Sequence, residues 1–160
     1  MPSSRSARRT SRAPDVRPRR AGPGEAAAVA GLYLRARHAA VPAIPPLVHA
    51  DDDVRRWFTE VVLPQREVWV TDEDGALTAL LVLDGGWVDQ LYVDPARTGE
   101  GLGATLVDLA KRQRPDGLEL WAFQSNGRAV AFYERHGHRE VARTDGDNEE
   151  GAPDVRLRWR

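Results

Sequence analysis

The stretch that decides the fold is residues 91–106, which read LYVDPARTGEGLGATL. It starts as an apolar strand that ends at Val93, and a loop with glycine at positions 99, 101 and 103 then leads into a helix. Glycine has no Cβ, so the backbone N–H groups of such a loop can approach a phosphate closely. The new helix adds unpaired N–H groups and the positive end of its dipole. The spacing therefore predicts a pyrophosphate-binding loop, with tight packing of a helix start on a sheet as the alternative.

Periodic patterns on both sides of this loop predict a mixed α/β chain. The 3.6-residue period of apolar side chains predicts helices at residues 25–40, 51–63, 102–114 and 126–136. Alternating or continuous apolar runs predict strands at residues 15–20, 67–71, 76–83, 87–93 and 118–123, around Val141, and at 155–159. Short turns alone separate the strands between 67 and 93, which favours an antiparallel meander.

A second motif adds a family resemblance. Ser125 and Asn126 precede the sequence AFYERHG at residues 131–137. Together with LYVDP at 91–95, the Gly99-x-Gly101-Leu-Gly103 loop and the order of the predicted elements, this motif makes residues 15–160 resemble the GNAT superfamily, small acetyl-CoA-dependent N-acetyltransferases. The resemblance implies an α/β fold with a mixed, mostly antiparallel central sheet flanked by helices and splayed at the strands around 87–93 and 118–123. Residues 1–14 are predicted to be a disordered basic tail.

The resemblance also implies a reaction and its co-substrate. An acetyl group would move directly from acetyl-CoA to an amine of a small molecule or a protein, and no metal is expected. Three strand residues would hold the pantetheine and polarise the thioester carbonyl: Leu91, Tyr92 and Val93. The pyrophosphate would lie on the loop of Thr98, Gly99, Glu100, Gly101, Leu102, Gly103 and Ala104. Asn126 would contact the pantetheine region or cap its own helix.

One position of the loop departs from the family pattern. The family usually has Gln or Arg directly before the first loop glycine, where this chain has Thr98, and Arg97 lies one position earlier. The loop also matches a dinucleotide-binding fingerprint, Gly99-x-Gly101-x-x-Ala104, with Glu119 lying 20 residues beyond the first glycine. Five residues between Val93 and the first glycine, and the antiparallel strands upstream, argue against that alternative.

The proton donor of the reaction is predicted to be Tyr133, which matches the family's general acid. A phenol has an ordinary pKa of about 10, so it stays protonated at neutral pH and can donate to a departing thiolate. Core packing is the alternative role, because Tyr133 shares a helical face with Ala129, Phe132 and His136.

Asp89 is one of several candidates for the general base, and it lies on the strand that leads to the thioester site. Glu119, His49 and a water chain are alternative bases. His138 follows a helix end and is interpreted as structural, like His136. An enzymatically inactive CoA-binding regulatory or interaction domain of the same fold is the alternative function.

Composition and charge limit the other possibilities. The chain of 160 residues has the length of one domain, and it contains no cysteine for disulfides or a thiol nucleophile. Its formal net charge is −1, although the first 20 residues hold seven arginines and one aspartate. We therefore expect no nucleic-acid partner, no membrane association, a cytoplasmic location and a monomer or homodimer. The acceptor pocket is predicted between two acid-bearing loops, 41–53 and 145–154, which would attract a cationic amine.

Overall fold

The computed structural model describes residues 16–160, so the tail predicted for residues 1–14 lies outside the described residues. The first strand, β1 (Arg19–Arg20), is shorter than the strand predicted at 15–20. A turn of 3₁₀ helix at Pro23–Glu25 then leads into α1 (Ala26–Ala40). The Arg19 guanidinium donates hydrogen bonds to the carboxylates of Glu25 and Asp72. These contacts fix β1 at the edge of the sheet.

The helix predicted at residues 51–63 continues past Pro64, so the predicted stop at this proline was wrong. α2 (Asp51–Trp57) passes through a π-helical turn at Phe58–Val62 into α3 (Leu63–Gln65), a last helical turn. The hydrogen-bond pattern changes directly before Pro64, because the Leu63 N–H bonds to the Phe58 carbonyl five residues back. None of the helices within residues 16–160 is long and apolar enough to cross a membrane.

Six further strands complete a seven-stranded sheet: β2 (Glu67–Glu73), β3 (Ala76–Asp84), β4 (Trp87–Val93), β5 (Leu118–Phe123), β6 (Arg139–Thr144) and β7 (Asp154–Trp159). The order across the sheet is β1-β2-β3-β4-β5-β7-β6. All neighbouring strands are antiparallel except β4 and β5, which are parallel. α4 (Leu102–Gln113) connects β4 to β5, and α5 (Gly127–Arg135) connects β5 to β6.

β4 and β5 separate along their length. Within residues 16–160 they form one residue pair, Trp87 with Glu119. β3 and β4, by contrast, pair from Ala79 opposite Val93 to Asp84 opposite Trp87. The predicted mixed, mostly antiparallel sheet that splays at these two strands is therefore confirmed. The gap leaves the backbone of β4 that faces β5 without a strand partner.

Helices cover both faces of the sheet. On one face, α1 and the α2–α3 segment pack on alternate residues of β2 and β3, such as Leu80 and Val82. On the other face, α4 packs on the intervening β3 residues, Leu81 and Leu83. A third cluster joins α5 to β5 and β7 around Tyr133. Because β3 is covered on both faces, its sequence is apolar at nearly every position instead of alternating.

Candidate active site in the cleft between β4 and β5

A cleft of about 840 Å³ opens where β4 and β5 diverge. Its walls are residues 88–93 of β4 and residues 120–123 of β5. The end of α1 and the loop 41–44 close one side, and the start of α4 and one face of α5 close the other. The cleft therefore lies where the sequence predicts acetyl-CoA to bind.

The glycine loop has the tight packing that was one of its two predicted roles, and pyrophosphate binding stays a prediction. Gly99 and Gly101 have φ values of +84° and +83°, a region that favours glycine, and Gly101 is the N-cap of α4. A Cβ on Gly103 would lie 3.3 Å from the ring of Phe132 on α5. Two glycines thus shape a turn with exposed N–H groups, and the third lets α5 approach α4.

Six of the predicted cofactor-binding residues line the cleft: Leu91, Tyr92, Val93, Thr98, Gly103 and Asn126. The other five form the turn beside it or the start of α4: Gly99, Glu100, Gly101, Leu102 and Ala104. The Leu102 side chain packs in the core beneath α4, so its backbone is the part of this residue that faces the loop. Residues 91–93 lie on the β4 backbone that has no strand partner toward β5.

Side chains around the loop pair with one another. Arg97, the candidate replacement for the missing Gln or Arg, donates to the carboxylates of Glu73 at 2.7 Å and Glu100 at 2.9 Å. The Thr98 hydroxyl donates a long hydrogen bond to the carbonyl of Pro95. The loop consequently offers an anion mainly backbone N–H groups and the end of the α4 dipole.

Asp89 lies on a β-bulge of β4. The pairing of Val82 with Gln90 is followed by Leu83 with Val88, which leaves Asp89 as the extra residue. Its carboxylate lines the cleft and accepts a hydrogen bond from Arg66 at 2.5 Å. Burial raises the pKa of the Asp89 carboxyl above its ordinary value, although the Arg66 guanidinium acts in the opposite direction.

The other two side chains considered as bases lie outside the cleft lining. Glu119 is bound by Arg156 and Arg158, and these two guanidinium groups outweigh burial and lower the pKa of its carboxyl. His49 is exposed, and its Nε2 contacts Glu149 at 3.2 Å. Of these three candidates, the structure therefore brings only Asp89 into the cleft.

Tyr133 is buried on α5 and lines the cleft. Burial raises the pKa of its phenol, so the group stays protonated at neutral pH. No hydrogen bond of the hydroxyl is recorded within residues 16–160, and its ring packs edge-on against Phe132 and His138. The residue thus combines the packing role with a hydroxyl that is available as a donor.

Asn126 has the capping role that was one of its two predicted roles, and a contact with the pantetheine stays a prediction. Its side-chain oxygen accepts a hydrogen bond from the backbone N–H of Ala129 at 3.3 Å, which caps α5, and the residue lines the cleft. The neighbouring Ser125 hydroxyl donates to the carbonyl of Ala43 at 2.6 Å. This bond ties the start of α5 to the loop 41–44 across the cleft.

Sequence reasoning missed a buried polar cluster on the α1 side of the cleft. Arg37 is 5% exposed and donates to the Tyr33 hydroxyl at 3.0 Å and to the Pro45 carbonyl at 3.3 Å. The Glu150 carboxylate lies 3.8 Å from this guanidinium, and Tyr92 of β4 packs edge-on against Tyr33. The four-residue spacing of Tyr33 and Arg37 on one helix face was the available signal.

A second, smaller cavity of about 330 Å³ lies beside the first one. Its lining includes Asp89, which the two cavities share, and the indole rings of Trp87 and Trp121. Arg156 covers one face of the Trp87 ring. Within residues 16–160, no group of three or more His, Cys, Asp and Glu side chains is placed to hold a metal ion.

Comparison with known families finds a similar domain. A family model described as an acetyltransferase (GNAT) domain matches residues 64–140, which include the glycine loop, β5 and Tyr133. Over these residues the chain is similar to the family that its motifs resemble.

Two curated proteins illustrate the relationship. Peptidyl-lysine N-acetyltransferase YjaB of Salmonella typhimurium is 34% identical over 88 residues, which cover 54% of this chain and 59% of the relative. Mycothiol acetyltransferase of Beutenbergia cavernae is 38% identical over 97 residues, which cover 54% of this chain and 31% of the relative. The chain thus matches about three fifths or less of the length of these relatives.

Solved structures share the fold over most of the chain. The solution structure of apo YjaB from Escherichia coli covers 90% of this chain with a TM-score of 0.72 and 23% identity, and 97% of that chain is matched. YncA from Salmonella typhimurium, solved with acetyl-CoA, covers 91% of this chain with a TM-score of 0.68 and 18% identity, and 93% of that chain is matched. These likenesses show that the chain shares the fold of these structures.

Proposed function

We propose that the chain is an N-acetyltransferase that moves an acetyl group from acetyl-CoA directly to an amine of a small molecule or a protein. The observation that carries this proposal is the cleft itself. An unpaired strand edge, a glycine turn at a helix N-terminus and a protonated phenol meet in it, and these groups suit a thioester with a pyrophosphate-bearing tail. A cytoplasmic location and a monomeric or homodimeric state stay predictions, as does one domain over residues 15–160.

The residues present fit acetyl-CoA. The N–H groups of residues 91–93 would bind the pantetheine and polarise the thioester carbonyl, and residues 98–104 would bind the pyrophosphate. Asn126 would fix the start of α5 beside the pantetheine. When bound, acetyl-CoA supplies an acetyl group that is activated as a thioester.

Tyr133 and Asp89 would handle the protons. Tyr133 would donate the proton of its hydroxyl to the departing thiolate, since its buried phenol stays protonated. Asp89 would take a proton from the acceptor amine, and its position at the bulge places the carboxylate against both cavities. Arg66 would hold this carboxylate in place from α3's end.

The test is thiol release from acetyl-CoA in the presence of single amines. The panel contains a lysine peptide, a peptide with a free α-amine and small alkylamines, and mass spectrometry follows the acetylated product. The proposal requires at least one amine to give thiol and acetylated product in equal amounts. Acetyl-CoA binding without amine-dependent thiol release would instead support the inactive CoA-binding domain.

A further inference from the structure

The acids of the two loops that were expected to form the acceptor pocket have different environments in the structure. At the start of α2, Asp51 contacts His38, and the next two acids pair with arginines on their own helix. In the loop 145–153, Glu149 contacts His49, and both side chains are more than half exposed. Most of these acids are therefore helix-start or surface groups. Of the acids in these two loops, Glu150 alone lines the cleft.

The Glu150 side chain is largely enclosed and has few polar contacts with the protein. Its side chain is 11% exposed, and no hydrogen bond to it is recorded within residues 16–160. The Arg37 guanidinium lies 3.8 Å away, which is beyond hydrogen-bonding distance, and donates instead to Tyr33 and Pro45. Within residues 16–160, Arg37 therefore leaves the Glu150 carboxylate oxygens without a hydrogen-bond donor. These oxygens are not among the fully buried polar atoms without a partner, so they keep access to the solvent of the cleft.

The loop that carries Glu150 is held in place by its own hydrogen bonds. The Asn148 side chain donates to the Ala152 carbonyl at 2.7 Å and to Asp154 at 3.0 Å. The Thr144 hydroxyl accepts from the backbone N–H groups of Gly146 and Asp147. This network fixes the position of the Glu150 backbone at the cleft.

Glu150 also lies within electrostatic reach of two tyrosines, Tyr33 and Tyr92. Its charge contributes to the raised pKa of Tyr33 and of Tyr92, and Tyr92 contributes to that of Tyr133. The charged and titratable groups that face Glu150 are thus Arg37 and Tyr33 on α1 and Tyr92 on β4. None of these groups supplies the missing donors to its carboxylate.

We propose that Glu150 binds the positively charged amine of the acceptor and so selects aliphatic amines over amines that are neutral at pH 7. This assignment rests on the proposed function and names the substrate class. An alkylamine resembles the lysine side chain, whose ordinary pKa is about 10.4, and carries three N–H donors as an ammonium ion. Charge-assisted hydrogen bonds to Glu150 would satisfy a carboxylate that the protein itself leaves without donors.

The experiment compares hexylamine, an ammonium ion at pH 7, with hexanoic hydrazide, a neutral amine of similar length. Steady-state acetylation is measured for the native chain, Glu150→Gln and the matched control Glu149→Gln. In Glu150→Gln we expect the ratio of kcat/KM for the amine to that for the hydrazide to fall about tenfold or more, mainly through KM. Glu149→Gln should keep the native ratio within about twofold, because its carboxylate is a surface group. Glu150→Asp should recover part of the loss.

A binding arm separates this inference from the proposed function. Hexylammonium is titrated into each protein in the presence of CoA and followed by NMR. Tighter binding to the native chain than to Glu150→Gln supports the inference, even if no amine is acetylated and the proposed function fails. An unchanged amine-to-hydrazide ratio in Glu150→Gln overturns the inference, as does an equal loss for both acceptors. In a chain without turnover, equal binding of hexylammonium by both proteins overturns it.

Discussion

The two halves of the cleft are built from different parts of the chain. The cofactor half, which consists of residues 91–93, the loop 98–104 and Asn126, presents mainly backbone groups and a helix N-terminus. The acceptor half consists of the end of α1 with the loop 41–44, Asp89 and Glu150, and it presents side chains from three separate segments. Under the proposed function, the first half would bind acetyl-CoA and the second half would set the choice of acceptor.

The largest effect is expected from a charge placed in the cofactor half. Gly101→Glu should weaken acetyl-CoA binding by about 100-fold or more, because two like charges near 4 Å at a protein surface repel by about 4 kcal/mol. Gly85→Glu is the matched control, since Gly85 also has a positive φ but lies in the β3–β4 turn. Calorimetry measures both affinities and circular dichroism checks folding. If a folded Gly101→Glu variant bound acetyl-CoA with native affinity, the loop would not be part of the binding site.

A smaller effect is expected where the two halves meet. Tyr133→Phe should lower the acetyl-transfer rate about 100-fold, the lower end for a positioned acid, because a thiol with an ordinary pKa near 8.5 leaves fairly easily. Acetyl-CoA affinity should barely change. Tyr92→Phe, the matched control, removes the other tyrosine hydroxyl of the cleft lining and should change the rate less than tenfold. Equal pre-steady-state rates for native and Tyr133→Phe would assign this tyrosine to packing.

The cofactor half could be predicted from the sequence because it depends on local backbone geometry. Glycine spacing, a strand end and a helix start occur within residues 91–106, and the structure places them together. The splay of β4 from β5 also agreed with the family resemblance. These features need no knowledge of distant contacts.

The acceptor half could not be predicted in the same way. Arg37 and Glu150 are 113 residues apart in the chain, and only the packing of the loop 145–153 against α1 brings them together. The bulge at Asp89 depends on how β3 and β4 pair, which no short pattern reveals. The helix end predicted at residue 63 was wrong for a related reason. A π-helical turn precedes Pro64, and the sequence pattern gives no sign of this turn.

Removal of the Arg97 side chain should have almost no effect on acetyl-CoA affinity. Because this guanidinium is bound to Glu73 and Glu100, Arg97→Ala should change acetyl-CoA affinity less than about threefold, in the range of an exposed ion pair. Isothermal titration at low salt is the measurement. A tenfold loss would mean that Arg97 turns to the phosphate and that side chains, as well as backbone, form the cofactor half.

The smallest effect concerns the thermal stability of the fold and is expected at His138, whose ring packs against Tyr133. His138 is 4% exposed, neither ring nitrogen has a hydrogen-bond partner among residues 16–160, and burial lowers its pKa to about 4. In the unfolded chain this histidine binds a proton below about pH 6.5, but in the folded chain it does so only below about pH 4. The free energy of unfolding therefore decreases as the pH falls from about 6.5 to about 4. His138→Phe should raise the Tm by roughly 3 °C at pH 7.5 and by more at pH 5. His38→Phe, at an exposed position, is the control, and a Tm gain independent of pH would contradict the assignment.

The most direct test of the division into two halves is an NMR map of acetyl-CoA binding on the ¹⁵N-labelled chain. The account predicts that the largest backbone amide shifts fall at residues 91–93, at 98–104 and at Asn126. Residues 145–153 and the end of α1 should shift little until hexylamine is added. The division into two halves would be contradicted if acetyl-CoA caused its largest amide shifts at Glu150 and Arg37 and left the glycine loop unchanged.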